Sequence, residues 1–327
     1  MRLLLIGAVL ATTGCASPPS YVAAPAPQSM SLERPNHRHA WMNVSAKKLD
    51  LLYISEADGE VTVYTYWQRT LVGELTDFYQ PQGECVDKAG NVYVTDSFER
   101  RIVEYAHAGT KPLRTIDDSP YAPYGCSVAA STGDLAVANE AGGASKGNIA
   151  IYPGASGTPT YYTDKNIPNF RDCAYNSGGD LLASNDQPGS DVSSFAWFPT
   201  GGGRLINVTL PGPSPSWTWK DVTGIQWDGK YWVIDDYQPY RVSVIDGQGY
   251  YIGFTPIEAS GGTAGPFWIY NDDPTEQGTQ VVGVFSEPSR DYVYYWDYPS
   301  GGAPIAEIGK DISLQPVALT VSLSAKP

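Results

Sequence analysis

The sequence predicts an all-β protein. Six four-stranded antiparallel blades form a ring, a six-bladed β-propeller, closed by pairing the C-terminal strand with the N-terminal blade. Three observations carry this. A four-strand unit is legible between Pro81 and Ile116, and it recurs through the chain. Two incomplete copies stand at opposite ends of the recurring region, and each supplies what the other lacks.

In the clearest unit, Gly83 to Val86 forms the first strand and Lys88-Ala89-Gly90-Asn91 turns the chain. Val92 to Thr95 alternates as a half-buried strand does, and Asp96-Ser97-Phe98-Glu99 turns again. Ile102 to Tyr105 is the third strand, Ala108-Gly109-Thr110 the third turn, and Leu113 to Ile116 the fourth strand. One such sheet cannot bury both of its faces. Copies stacked face to face in a ring can.

The first strand fits a seven-residue register opened by Pro81, with Gly83 third and Asp87 seventh. It repeats at Pro123 to Ala129, and more loosely at Phe170 to Asn176, Val222 to Asp228, Gly265 to Asn271 and Pro316 to Ser322. Second strands recur at 51–55, 135–138, 181–184, 231–234 and 281–285, and third strands at 61–64, 148–152, 194–198, 241–245 and 292–296. The copies are spaced by roughly 42 to 52 residues, the period of four-stranded blades. Residues 49–76 hold strands two to four with no first strand before them, whereas 316–322 is a first strand with nothing after it. Joining them completes the sixth blade and covers two sheet edges.

VYVTDSFERRIVEY (92–105), preceded by PQGECVD (81–87), resembles an NHL-type repeat. In that repeat an aliphatic strand, an Asp-led turn and an Arg-Ile/Val strand follow one another; Glu99 stands where it often has Asn. The resemblance covers about residues 49–322 and is strongest in the second blade. It implies architecture more than activity, because propellers of this type include binding modules, lyases and lactonase-like hydrolases.

The chain opens with Met1-Arg2 and an apolar run, Leu3 to Leu10, too short to span a bilayer as a helix. The run ends in Thr12-Thr13-Gly14-Cys15, which resembles a bacterial lipoprotein processing site, although Thr12 stands where Leu is usual. The resemblance implies a signal peptide over 1–15, lipid at Cys15, and an exported protein anchored in the cell envelope. Ala, Pro, Ser and Gln dominate residues 16–43, the composition of an extended tether, and 44–327 is left for the propeller. The 34 Gly, 26 Pro and 23 Tyr suit short strands joined by many turns.

A formal net charge of −14 excludes nucleic acid and argues against anionic lipid headgroups as partners. Of three histidines, His37 and His39 lie on the tether and His107 falls in a turn, expected to be exposed. Histidine acid–base chemistry in the core is therefore not expected. Cys126 and Cys173 hold the fourth position of their first strands and Cys85 the fifth, so Cys85 points to the opposite sheet face. A Cys85–Cys126 disulfide is one outcome; three small buried residues is the other. Cys126 and Cys173 cannot face each other.

Loops entering first strands and loops leaving second strands fall on one face of the ring. Second strands end at Glu56, Asp96, Asn139, Asn185 and Asp235. Asp96, Asn139, Asn185 and Asp235 form a candidate oxygen ring for a hard cation such as Ca²⁺, as in metal-dependent lactonase propellers. The same residue types are also recruited by turns, whose backbone they bond. Glu84, Arg171 and Asp172 are charged residues within or entering first strands, expected to pair or to line the channel. Trp217 and Trp219, in the Pro-rich loop entering the fifth blade, and Tyr124 are candidates to stack on a ligand. The resulting expectation is a binding module for a protein, peptide or glycan, with a metal-dependent lactonase- or lyase-like enzyme or a structural envelope protein as alternatives.

Overall fold

The structure, a computed structural model, describes residues 39–144, 146–185, 193–220, 222–258, 263–271, 277–287, 290–309 and 316–325. The expectations on Cys15, on the signal segment and on the tether up to residue 38 lie outside these.

Blade one opens with β1 (Trp41–Met42), β2 (Leu51–Glu56), β3 (Val61–Thr65) and β4 (Leu71–Leu75). Blade two is β5 (Pro81–Val86), β6 (Val92–Asp96), β7 (Arg101–Tyr105) and β8 (Pro112–Asp117). Blade three holds β9 (Ala122–Val128), β10 (Leu135–Glu140), β11 (Asn148–Tyr152) and β12 (Thr160–Tyr162). Blade four holds β13 (Asp172–Tyr175), β14 (Leu181–Ser184), β15 (Phe195–Phe198) and β16 (Ile206–Val208). Blade five is β17 (Gly224–Trp227), β18 (Trp232–Asp235), β19 (Pro239–Ile245) and β20 (Gln248–Phe254). Blade six is β21 (Thr263–Tyr270), β22 (Gln280–Glu287), β23 (Arg290–Asp297) and β24 (Ala306–Ile308).

The chain then returns to blade one. β25 (Pro316–Ser322) pairs antiparallel with β2, from Leu51 opposite Ser322 to Glu56 opposite Pro316. Blade one therefore has the order β1-β4-β3-β2-β25, and the other five blades have four strands each. Trp41–Met42, which the composition places at the end of the tether, adds a short outer strand on β4.

Six clusters of buried apolar side chains hold the ring, one between each pair of neighbouring blades. Period-two alternation explains how one strand serves two interfaces. Leu51 and Tyr53 pack toward blade two, while Leu52 and Ile54 pack toward blade six. The seventh register position earns its Asp or Asn at the turn that follows. Asp87 Oδ1 accepts the N–H of Ala89 and of Asn91, both at 2.8 Å, around Gly90 at φ +85°. Asn176 and Asp228 repeat the device in blades four and five.

Cys85 and Cys126 are joined by a disulfide between blades two and three, and Cys173 is free and buried between blades three and four. His107 departs from the sequence expectation. It is half-buried, with Nδ1 2.7 Å from Ser322 Oγ, which itself donates to the Gly90 carbonyl at 2.7 Å. A turn of blade two thus grips the closing strand, and burial holds the His107 pKa below its ordinary value.

Candidate functional site

Register places the mouth of the channel. Second-strand ends lie opposite first-strand starts: Asp96 faces Pro81, Asn139 faces Pro123, Asp235 faces Gly224 and Glu56 faces Pro316. All four of these second-strand residues are buried, as is Asn185. Their hydrogen bonds decide what the ring can hold. Asp96 accepts from the N–H of Tyr79 and Gln80 and from Arg101, with which it forms an ion pair at 3.1 Å. Asn185 Oδ1 accepts the Ser194 N–H at 2.6 Å, and Asp235 Oδ2 accepts from the Thr223 hydroxyl at 2.6 Å. Among the described residues, Glu56 Oε2, Asn139 Oδ1 and Asp235 Oδ1 are the ring oxygens buried without a hydrogen-bond partner.

Three side-chain oxygens fall well short of the six to eight that Ca²⁺ takes. Among the described residues no group of three or more His, Cys, Asp or Glu side chains is placed to hold a metal. The turn-bonding role accounts for most of this ring.

The channel wall is tightly closed on the side of blades two to four. A Cβ on Gly83 would meet the Tyr124 carbonyl oxygen at 2.1 Å, and one on Gly125 would meet Asp172 Oδ1 at 2.0 Å. Asp172 uses both oxygens on backbone: Oδ1 accepts its neighbour Cys173 N–H at 2.8 Å, and Oδ2 accepts Ile225 N–H of blade five at 2.6 Å. Loss of water around this carboxyl raises its pKa to about 7. Glu84 accepts from the Ser55 hydroxyl at 2.7 Å, and burial raises its pKa to about 8. These two candidates are thus structural members of the wall, with carboxyls that hold their protons far longer than exposed ones.

Trp219 requires a correction as a rim residue. It is 4% exposed, donates Nε1–H to the Leu210 carbonyl at 2.8 Å, and packs against Phe195 and Tyr240. Trp217 is half-buried beside it, against Tyr240. The two tryptophans are therefore folded onto the blade four–five cluster, while Pro211, Pro213 and Pro215 before them stay exposed.

Tyr124 and Arg171 are brought together. The guanidinium lies 4.5 Å from the Tyr124 ring centroid and pairs with Glu140 at 3.3 Å, while the Arg171 side chain stays 35% exposed. Main chain fixes the arrangement, since Gly125 N–H donates to the Arg171 carbonyl and Arg171 N–H to that of Ser184. Two ring pairs lie on neighbouring loops, and their pairing is not legible in the sequence, although Tyr121 is an entry-loop aromatic. Tyr79 stacks on Phe98 at 4.0 Å, and Tyr121 lies 5.0 Å from Tyr161. Phe98 and Tyr161 are exposed. Their signal was faint, because each pair joins residues from different loops. The loops meet through Ser97 N–H to Gln80 O, Asp118 N–H to Arg100 O and Gly143 N–H to Pro120 O.

No protein-family model and no curated protein matches the chain. Solved structures do. A propeller from a nidogen/laminin complex is similar at a TM-score of 0.62 and 13% identity, covering 84% of this chain and 99% of its own. A Bacteroides caccae protein of unknown function is similar at 0.60 and 11%, with the same coverages of 84% and 99%. The β-propeller domain of Myceliophteria thermophila Cps50 (Swd1) is similar at 0.54 and 10%, covering 82% and 85%. At such identities the likeness establishes the fold and nothing finer. The protein is a six-bladed β-propeller.

Proposed function

We propose that this propeller is a non-enzymatic binding module, NHL-like in its repeats, which captures a protein, peptide or glycan at the face where entry loops and second-strand exits meet. Arg171 carries the reading: a guanidinium seated on the Tyr124 ring and one-third exposed, on a face whose entry loops also carry two aromatic pairs, each with one exposed ring. Stacked rings supply apolar area, and a pre-positioned guanidinium supplies orientation. The similar propeller found in a nidogen/laminin complex is consistent with a protein partner. In this reading the module is exported through a signal ending at Cys15, lipidated there, and held by the tether in the bacterial cell envelope; the Gly14-Cys15 motif supports it.

The test is a capture screen of peptide and glycan arrays with wild type and with Tyr124→Ala/Arg171→Ala. Any captured probe should be held at least about tenfold more weakly by the double variant, whose melting temperature should stay close to wild type. Unchanged capture would place the working surface elsewhere. Metabolic labelling with a radioactive fatty acid tests the anchor separately, and Cys15→Ser should lose the label.

A further inference from the structure

The outer margin of blade one carries an exposed surface that the channel mouth does not explain. Of the nine tryptophans in the chain, the two that are exposed, Trp41 at 42% and Trp67 at 46%, both lie there. Leu71 and Val44 join them at 42% and 85% exposure. Register shows how Trp41 and Leu71 share a face. Trp41 stands opposite Glu74 and Glu74 opposite Thr62, while Leu71 stands opposite Tyr64, two residues along the same strand. That face looks toward blade six, where Tyr64 is buried.

Trp67 continues the surface. Its ring lies edge-on to Tyr66 and Tyr270 at 5.0 and 5.2 Å, and its Nε1–H donates to Asp50. Arg69 follows, exposed, with its guanidinium 5.8 Å from the Tyr295 ring centroid.

The exposed charges of this margin are basic. Lys47, Lys48 and Arg69 are exposed, whereas the adjoining carboxylates are turned in, Asp50 half-buried against Trp67 and Glu74 buried. The formal net charge of −14 is a sum over the whole chain. A headgroup feels mainly the charges within a Debye length, about 8 Å in physiological salt.

We propose that this margin of blade one docks on a phospholipid surface, with Trp41, Trp67 and Leu71 at the headgroup level and Lys47, Lys48 and Arg69 facing anionic phosphates. Indoles favour that depth because one part of the ring is apolar and the other donates a hydrogen bond. Basic side chains beside them give the preference for anionic lipid. The lipid-anchor reading explains why a membrane is at hand, but the contact itself depends on these side chains and is separable from it.

The experiment reconstitutes the full chain into vesicles of phosphatidylcholine, with and without phosphatidylglycerol, that carry brominated acyl chains as short-range quenchers of indole emission. Tryptophan emission should be quenched in the anionic vesicles. Trp41→Ser/Trp67→Ser should lose that quenching, and Lys47→Glu/Lys48→Glu should lower affinity for the anionic vesicles by at least about tenfold. Equal quenching in wild type and the tryptophan variant overturns the proposal. So does a concentration-dependent dimer in solution that the same substitutions abolish, because the occupant would then be a second copy. Cys15→Ser separates the two readings. If it does not alter vesicle retention, the anchor fails and the docking surface stands. If lipidated protein is retained without quenching, the surface fails and the anchor stands.

Discussion

The Asp172 carboxylate accepts the Ile225 N–H at 2.6 Å and thereby bolts the inner strand of blade four to that of blade five. Its other oxygen holds Cys173 N–H, so each oxygen already accepts one backbone hydrogen bond. Asp172→Ala leaves two enclosed backbone donors unpaired and should destabilise the propeller by about 2–4 kcal/mol. Asp172→Asn should cost less, since its one carbonyl oxygen still serves one donor. Denaturant unfolding of both variants checks the order, and a smaller loss in the alanine variant would contradict the bolt.

Stability should fall as pH rises from about 4 to about 8. Burial raises the carboxyls of Glu84 and Glu56 to about 8, and those of Asp172 and Asp235 to about 7. The unfolded chain ionises these groups near their ordinary values, around pH 4, while the folded chain keeps their protons. The native state therefore binds more protons across this window, and the unfolding free energy declines with pH until the folded values are passed. Melting should occur roughly 5 °C or more higher at pH 5 than at pH 8. A flat or rising profile would show that these carboxyls stay ionised in the folded state.

Non-reducing peptide mapping of protein produced in an oxidising compartment should recover Cys85 linked to Cys126, with Cys173 unreactive until the chain unfolds. The bridge closes a sequence separation of 41 residues, so Cys85→Ala/Cys126→Ala should lower stability by about 3–4 kcal/mol.

Deleting residues 316–327 removes β25, which exposes the edge of β2 and uncovers the apolar interface once filled by Leu319 and Val321. His107 also loses Ser322. The truncated chain should aggregate or be cut rapidly by proteases, whereas a soluble product with unchanged melting would contradict closure at blade one.

The ring was legible because its signals are periodic. Strand alternation, the Asp or Asn before each turn glycine, and the complementary end fragments repeat a local rule, and the local rule is what a sequence displays. Even the one-residue offset between Cys85 and Cys126 is a register fact. The mouth was less legible because its geometry is made by loops from different blades. Trp217 and Trp219 are two residues apart in a Pro-rich loop, and no periodicity says that Trp219 turns inward to Leu210. Phe98 and Tyr79 meet only because separate turns converge. Trp41–Met42 is too short a strand to alternate visibly and forms because β4 offers it an edge. His107 looked like an exposed turn residue until the closing strand arrived beside it.

Closure at blade one also fixes an order in time. β2 to β4 are among the earliest strands to be synthesised, yet the edge of β2 is covered only when Pro316–Ser322 arrives. Blades two to six each draw their strands from consecutive sequence and can form as they emerge, while blade one joins partners separated by most of the chain. It is the first blade begun and the last completed. During that interval an unpaired strand edge and the interface between blades one and six stand open, so the growing chain is most exposed to misassociation at this shared blade.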